Sequence, residues 1–223
     1  MRKIPEKSVL VITSKIVALS EGRFVRKTSF LQKEKLIQKE SKKSLRTKQA
    51  WLTMKDGMMM ANAGIDESNA DGKLILLPRN SFTSAEKLRK ELKHTYRVKK
   101  FGVIISDSHI APLRAGVTAH ALGYAGIKGV CDYRGTKDIF GRKMRISRTN
   151  VADSLATAAA LIMGEGAERQ PLALITGAPV TFSEKTDPKE MKISIFDDIY
   201  GPLLKEMKKK GVAPRGIEPR SRA

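Results

Sequence analysis

The chain has 223 residues, 41% of them hydrophobic and 5% aromatic, which is enough to bury one large core or two small interlocked ones built from aliphatic side chains. Its one cysteine excludes an internal disulfide framework, and no apolar run approaches the roughly 18 residues that span a bilayer, so we expect a cytoplasmic protein without membrane association. The formal net charge of +20 is typical of proteins that bind polyanions such as nucleic acid.

The first elements of the chain alternate between apolar and strongly charged segments. Residues 8–13 form an apolar, β-branched run that predicts a buried strand. Residues 33–48 are dense in Lys and Glu and predict a solvated helix or a mobile loop. Residues 52–61 predict a hairpin that turns at Asp56 and Gly57.

Residues 62–69, Asn-Ala-Gly-Ile-Asp-Glu-Ser-Asn, consist largely of types that tolerate left-handed backbone, so they predict a loop. The loop is either a plain connection or a segment that presents Asp66, Ser68 and Asn69 to a ligand. Residues 74–77 then predict a short apolar strand.

The middle of the chain predicts a helix followed by a strand. Thr83 and Glu86 have capping-box spacing ahead of a helix over residues 84–95. Residues 102–106 predict a buried strand that ends at Asp107. A rigid sheet fixes a side chain at such a position while the following loop leaves it accessible.

The last predicted elements complete an alternation of strands and helices. Residues 143–147 alternate charged and apolar types, which favours a half-buried strand. Asn150 precedes an Ala-rich segment and is expected to cap a helix over 151–163 whose Ala face packs closely. Residues 172–176 predict another strand.

Acidic residues at element ends are the first candidates for chemistry. Residues 116–129 contain neither a dinucleotide fingerprint nor a P-loop, so a nucleotide enzyme would hold its metal with separate carboxylates. Mg²⁺ and Mn²⁺ prefer carboxylate and phosphate oxygens. Asp107, Asp138, Asp153 and Glu165 are the candidates, although an acid such as Asp153 in a helix's first turn is more often a capping residue.

Basic side chains beside these acids are the second group of candidates. Arg114 and Arg134 have guanidinium groups that suit phosphates and carboxylates, with ordinary ion pairs as the alternative. His109 lies two residues beyond Asp107, and a structural or surface role is its alternative. No nucleophile–base arrangement is evident, so covalent catalysis is not expected.

Several motifs, taken in order over residues 8–204, resemble the γ-glutamyl ligases that extend the deazaflavin coenzyme F-420. The closest likeness is to the branch named for folate metabolism γ-glutamate ligases, to which Ser-Asp-Ser-His109 and Asp-Asp-Ile-Tyr-Gly-Pro-Leu-Leu204 point. The stretches that carry the resemblance are residues 9–15, 20–23, 62–69, 104–109, 112–118, 132–142, 150–153 and 163–166.

The resemblance implies an α+β fold with mixed, largely antiparallel sheets and packed helices, usually as an intertwined homodimer. Residues 1–204 would form the ligase-like domain, as one body or two interlocked subdomains. Family members usually have a further strand and loop before the first strand seen here. Residues 205–223 lack periodicity, contain two prolines and predict a basic disordered tail.

The resemblance also implies a reaction that uses GTP or ATP and two divalent cations, Mg²⁺ or Mn²⁺. An acceptor carboxylate is phosphorylated to an acyl phosphate, and the α-amine of L-glutamate attacks it. The acceptor would be an anionic folate-type or F-420-type molecule. Leu19 stands where the F-420 enzymes have a second Lys, which leaves the nucleotide base open. The implied roles are catalysis for Asp107 and Arg114, nucleotide contact for Ser14, Lys15 and His109, and metal binding for Asp107, Asp138, Asp153 and Glu165.

Two other hypotheses stay open. Residues 1–55 carry 15 Lys/Arg against 4 Asp/Glu and residues 205–223 carry 7 against 2, so the basic excess lies mainly at the two ends. These ends are either a solvated arm and tail or the contact surface of a nucleic-acid-binding protein, against which the low aromatic content counts. The remaining hypothesis is a ligase fold that binds its ligands without turnover.

Overall fold

The computed structural model describes residues 3–204, so the predicted tail of residues 205–223 lies outside the described part. The chain divides into two compact units, one ending at Met191 and the other beginning at Lys192. The strands are β1 (Ser8–Thr13), β2 (Phe24–Arg26), β3 (Lys43–Arg46), β4 (Trp51–Lys55), β5 (Met58–Ala61), β6 (Lys73–Ile75), β7 (Phe101–His109), β8 (Thr118–Ala125), β9 (Val130–Asp132), β10 (Arg148–Asn150) and β11 (Leu172–Thr176). The helices are α1 (Ser14–Ser20), α2 (Phe30–Glu40), α3 (Ser81–Tyr96) and α4 (Val151–Met163).

The central sheet has four strands in the order β11-β1-β7-β8. Strands β1 and β7 are parallel, while the other two pairings are antiparallel. Helix α4 covers one face of the sheet through Ala152, Ala156 and Ala159, all fully buried. Helix α3 contributes to the apolar cluster on the other side, around Phe101 and Val103. Small side chains on α4 let the helix approach the sheet closely.

Two smaller sheets lie within the same unit. Strands β3, β4 and β5 form an antiparallel meander, and β2 pairs antiparallel with β6. Helix α2 contributes Ile37 to an apolar cluster that also contains Leu74 and, at its edge, Trp51. The α+β fold with largely antiparallel sheets, expected from the resemblance, is confirmed.

Strands β9 and β10 form an antiparallel pair that carries an exposed arm over residues 131–149. Ile139, Phe140 and Ile146 on this arm are 92%, 81% and 85% exposed. Within residues 3–204, no helix is long and apolar enough to cross a membrane.

Four predicted features of the elements are corrected by the structure. Residues 143–147 do not form the predicted strand. The strand in this region is β10, which begins at Arg148 and pairs with β9 so that Arg148 lies opposite Asp132. The cap of α3 is Asn80, whose side chain accepts from the backbone N–H of Thr83. Strand β7 does not end at Asp107 but continues to His109. The last part of the charged segment 33–48 forms β3 rather than a helix or a loop.

The other predicted elements are present, although the strand predicted over 74–77 is β6, Lys73–Ile75, and the helix predicted over 84–95 is α3, Ser81–Tyr96. The strand over 8–13, the hairpin turning at Asp56 and Gly57, and the strand over 172–176 appear where the sequence placed them. Asn150 caps α4, and its side chain accepts from the backbone N–H of Asp153.

Candidate active site

Asp107 lies where two parallel strands bring distant parts of the chain together. Strands β1 and β7 pair with Thr13 opposite Ser106, which places Ser14 beside Asp107. The Ser14 hydroxyl donates to Oδ1 of Asp107 at 3.0 Å. A register shift between Ile105 and Ser106 precedes the carboxylate in β7. Such bulges re-aim side chains and are frequent beside active sites.

The environment of Asp107 disfavours its charged form. Enclosure by protein, together with the neighbouring carboxylates of Asp66 and Glu165, raises the pKa of this carboxyl to about 7, against the lowering effect of the hydrogen bond from Ser14. Three carboxyl groups therefore interact unfavourably at one place when they are charged. A metal ion or a cationic ligand group bound there would offset this repulsion.

Lys15 is the positive group that contacts the acids of the site directly. Its ammonium lies 2.8 Å from Oδ2 of Asp66 and donates to the carbonyl of Ser68 at 2.7 Å. Burial opposes ionisation of Asp66, but hydrogen bonds from Lys15 and from Ser68 hold the pKa of this carboxyl below its usual value. The Asx-type turn at Asp66, in which Ser68 donates from both its N–H and its hydroxyl, fixes the loop.

Glu165 enters from the end of α4. The Ser108 hydroxyl lies 3.0 and 2.9 Å from its two carboxylate oxygens. The amide of Asn69 donates to the carbonyl of Gly166 at 3.0 Å, so the loop after β5 is joined to the loop after α4.

These groups line one cavity of about 680 Å³. Its walls come from five separate parts of the chain, and the lining residues include Ser14, Lys15, Leu19, Asp66, Ser68, Asn69, Asp107, Ser108, Ala119, Glu165 and Arg169. A volume of this size can hold a nucleotide or a similarly sized anionic substrate. The structure therefore brings Ser14, Lys15, Asp107 and Glu165 together.

The remaining predicted site residues do not line this cavity. Asp153 accepts from the backbone N–H of Ala121 at 2.7 Å and from the amide of Asn150 at 2.6 Å, and burial raises its pKa. Asp138 accepts from the backbone N–H and the guanidinium of Arg142 within the exposed arm, and these bonds lower its pKa. Both carboxylates organise their local backbone.

Both candidate arginines also lie away from the cavity. Arg114 is exposed in the connection between β7 and β8. Arg134 forms an ion pair with Asp132 in the arm, which matches the ordinary alternative stated for it.

His109 contacts a residue that sequence reasoning missed. Its Nδ1 lies 3.2 Å from Nδ1 of His120, which is 7% exposed, and neither ring lines the cavity. Burial and the neighbouring imidazole lower the pKa of His120 to about 4, so the ring is neutral near pH 7. The Nε2 atom of His120 is buried without a hydrogen-bond partner among the described residues. No signal in the sequence marked His120, because it is the antiparallel register of β7 and β8 in the structure that sets His120 opposite Asp107.

The sequence is similar to those of known proteins over most of its length. Residues 1–177 match the family model described as F420-0:Gamma-glutamyl ligase. The chain belongs to this family. Its relatives include proteins called coenzyme F420:L-glutamate ligase from several organisms.

Three of these relatives show the range of similarity. The Methanocaldococcus jannaschii protein is 44% identical over 128 residues, 57% of this chain and 51% of the relative. The Methanococcus maripaludis C6 protein is 40% identical over 66% of this chain and 58% of the relative. The chain thus spans little more than half the length of these two relatives. The Methanosarcina barkeri protein is 33% identical over 94% of this chain and 86% of the relative.

The divalent cations implied for the family can be tested against the donor groups. Within residues 3–204, no group of three or more His, Cys, Asp and Glu side chains is arranged to hold a metal ion. The cavity nevertheless offers oxygen donors, namely the carboxylates of Asp107 and Glu165 and the hydroxyls of Ser14 and Ser108. Mg²⁺ is usually held by one or two carboxylates together with substrate phosphates and water. The donors fit a cation that arrives with a nucleotide.

Proposed function

We propose that this member of the family is a nucleotide- and metal-dependent γ-glutamyl ligase that joins L-glutamate to an anionic carboxylate acceptor. The observation that carries the proposal is the convergence of Asp107, Lys15 and Glu165 on one cavity. Activation of a carboxylate by a nucleoside triphosphate needs groups that hold phosphates and offset their charge. These three residues supply carboxylate ligands and an ammonium in the same space.

The proposed reaction has two steps. The acceptor carboxylate attacks the γ-phosphorus of GTP or ATP, a nucleoside diphosphate leaves, and an acyl phosphate forms. The α-amine of L-glutamate then attacks the acyl carbon, loses a proton and displaces inorganic phosphate, which leaves an amide. Divalent cations held by Asp107 and Glu165 would neutralise and orient the phosphates.

The residues of this chain have distinct proposed tasks. Ser14 holds the carboxylate of Asp107 in place through its hydrogen bond. Lys15 exchanges its contact with Asp66 for a phosphate oxygen when nucleotide binds. Asp66 and Ser68, released from Lys15, then face the incoming ligand.

The proposal extends to the residues whose roles the family resemblance implies but which do not line the cavity. Arg114 would support phosphate charge, His109 would contact the nucleotide, and Asp138 and Asp153 would add metal ligands, but each of these requires a rearrangement or a contribution from a second copy. The exposed apolar side chains of the arm favour a homodimer. The acceptor is of the F-420 or the folate type.

The test combines turnover with a matched acidic variant. We expect purified protein with GTP or ATP, Mg²⁺ or Mn²⁺, L-glutamate and either acceptor to release phosphate and form a glutamylated product detected by mass spectrometry. Asp107→Asn should lower turnover at least about 100-fold, as expected for loss of a charged group at a phosphoryl-transfer centre. Asp56→Asn, in the exposed hairpin turn, serves as the control.

Three outcomes are informative. Equal turnover of Asp107→Asn and Asp56→Asn would refute the role of the cavity. Metal-dependent nucleotide binding without product would identify a fold that binds but does not turn over. Absence of both would refute the ligase proposal itself.

A further inference from the structure

A strongly basic surface lies on β2, α2 and β3, and none of its residues lines the cavity. Residues 24–48, all of them described, contain eight exposed Lys and Arg side chains and no exposed Asp or Glu. Lys35 and Lys39 lie one turn apart on α2, where their side chains occupy the same face. Arg26 and Arg46 extend the surface onto β2 and β3. We call residues 24–48 the basic surface.

Aromatic rings are interleaved with these cations. Phe24 is 40% exposed and Phe30 is 62% exposed. The Arg46 guanidinium lies 5.6 Å from the ring centre of Phe30 and 5.4 Å from that of Trp51. Exposed rings of this size are costly to leave in water unless they have a partner, and cations beside their faces are typical of surfaces that stack planar groups.

Protection of a sheet edge explains only part of this composition. Strand β3 is the edge of its three-stranded sheet, and charged side chains on an edge discourage pairing with other chains. This accounts for Arg46. It does not account for Lys35 and Lys39, which lie on a helix, or for the exposed ring of Phe30.

We infer that the basic surface binds single-stranded nucleic acid, with Lys35, Lys39 and Arg26 contacting phosphates and Phe30 stacking on a base. Surfaces for single strands combine a positively charged track with aromatic platforms. An acidic polypeptide would use the charge but leave the rings without a stacking partner. This function is separate from the proposed ligase activity and does not depend on it.

The experiment measures binding of a fluorescein-labelled 12-nucleotide single strand, as DNA and as RNA, to the full chain by anisotropy at several salt concentrations. Emission of Trp51, which is the only tryptophan of the sequence and lies beside Arg46, gives a second readout next to the basic surface. Lys35→Gln with Lys39→Gln should weaken binding about tenfold and make the salt slope shallower by roughly 1.4, because each lost phosphate contact contributes roughly 0.7.

A second variant separates stacking from charge. Phe30→Leu should weaken binding about fivefold to tenfold and leave the salt slope unchanged, because stacking is not a counterion effect. The matched control is Lys87→Gln with Lys90→Gln, which removes two exposed lysines from α3. It should change affinity less than twofold.

Several results would overturn the inference. These are no binding at low salt, equal weakening by the α3 control, or equal displacement of the probe by poly-L-glutamate, the last of which would assign the surface to an acidic polypeptide. Phosphate release by the Lys35→Gln, Lys39→Gln variant should match the unmodified protein. Absence of turnover in the unmodified protein, with intact nucleic-acid binding, would reject the ligase proposal alone.

Discussion

At the scale of single residues, hydrogen bonds hold Asp107 and Glu165 in place from neighbouring serines. The Ser14 hydroxyl, one residue after β1, donates to Asp107. The Ser108 hydroxyl, near the end of β7, donates to Glu165. Groups of this kind orient ligands and are nearly as important for binding as the ligands themselves. The sequence identified Ser14 only through resemblance, because no spacing rule connects residues 93 positions apart.

Ser14→Ala removes the hydrogen bond to Asp107 while leaving the carboxylate present. We expect metal-dependent nucleotide binding to weaken about tenfold to 100-fold, and the free energy of unfolding to fall by about 1 kcal/mol. Isothermal titration with nucleotide and Mn²⁺ measures the first, and urea unfolding measures the second. Ser44→Ala, exposed on β3, is the control. Unchanged affinity in Ser14→Ala would show that this bond does not position the site.

The ion pair between Arg89 and Glu184 should make the stability of the folded protein depend on pH. Arg89 is buried and donates to the carbonyl of Phe101 at 2.7 Å and to both oxygens of Glu184. Hydrogen bonds from Arg89 and Lys93 lower the pKa of Glu184 to about 2. Because the folded pKa lies below the usual value of 4.5, this stabilisation is present above about pH 4.5 and is lost as the pH falls towards 2.

Glu184→Gln tests that dependence. The variant should have a lower thermal midpoint than the unmodified protein at pH 7, since Arg89 loses its charged partner. The difference should shrink between pH 4.5 and pH 2, where the native carboxylate itself becomes protonated. A difference that stays constant over this range would contradict the assignment.

At the scale of elements, the sequence predicted those whose signal is local. Helix α4 has its cap and its Ala face in consecutive residues, and both were predicted correctly. Strand β8 was not predicted, because its buried residues include Gly123 and small alanines, which carry weak strand propensity. The pairing of β10 with β9 depends on partners that alternation within 143–147 cannot reveal.

The close approach of α4 to the sheet can be tested by overpacking. Ala156 is fully buried, whereas Ala158 on the same helix is exposed. Ala156→Leu should lower the free energy of unfolding by about 1–3 kcal/mol, since the added carbons have no space. Ala158→Leu should change it by less than about 0.5 kcal/mol. Urea unfolding of both variants makes the comparison, and equal stabilities would contradict the packing.

At the scale of the whole molecule, the exposed apolar arm is a feature that a single copy leaves unexplained. Ile139, Phe140 and Ile146 expose large side chains to water on one paired segment. Contiguous exposed apolar groups mark interaction sites. A second copy of the chain is the partner we propose, and Asp138 on the same arm would then be carried towards that copy.

Phe140→Asp should disrupt this association. We expect the unmodified protein to elute as a dimer and the variant as a monomer in size-exclusion chromatography with light scattering, because a charge would have to be buried at the contact. Leu113→Asp, which alters a fully exposed side chain outside the arm, should leave the dimer intact. A monomeric unmodified protein would reject the arm as a dimer contact.

The parallel pairing of β1 with β7 has a consequence for synthesis of the chain. Strand β1 leaves the ribosome well before β7, because Ser14 and Asp107 are 93 residues apart, and its other neighbour β11 comes later still. At about 5–20 residues per second, the apolar strand waits roughly 5–19 s for its first partner. During that interval it is a natural binding site for a chaperone, and the cavity can form only after most of the chain has been made.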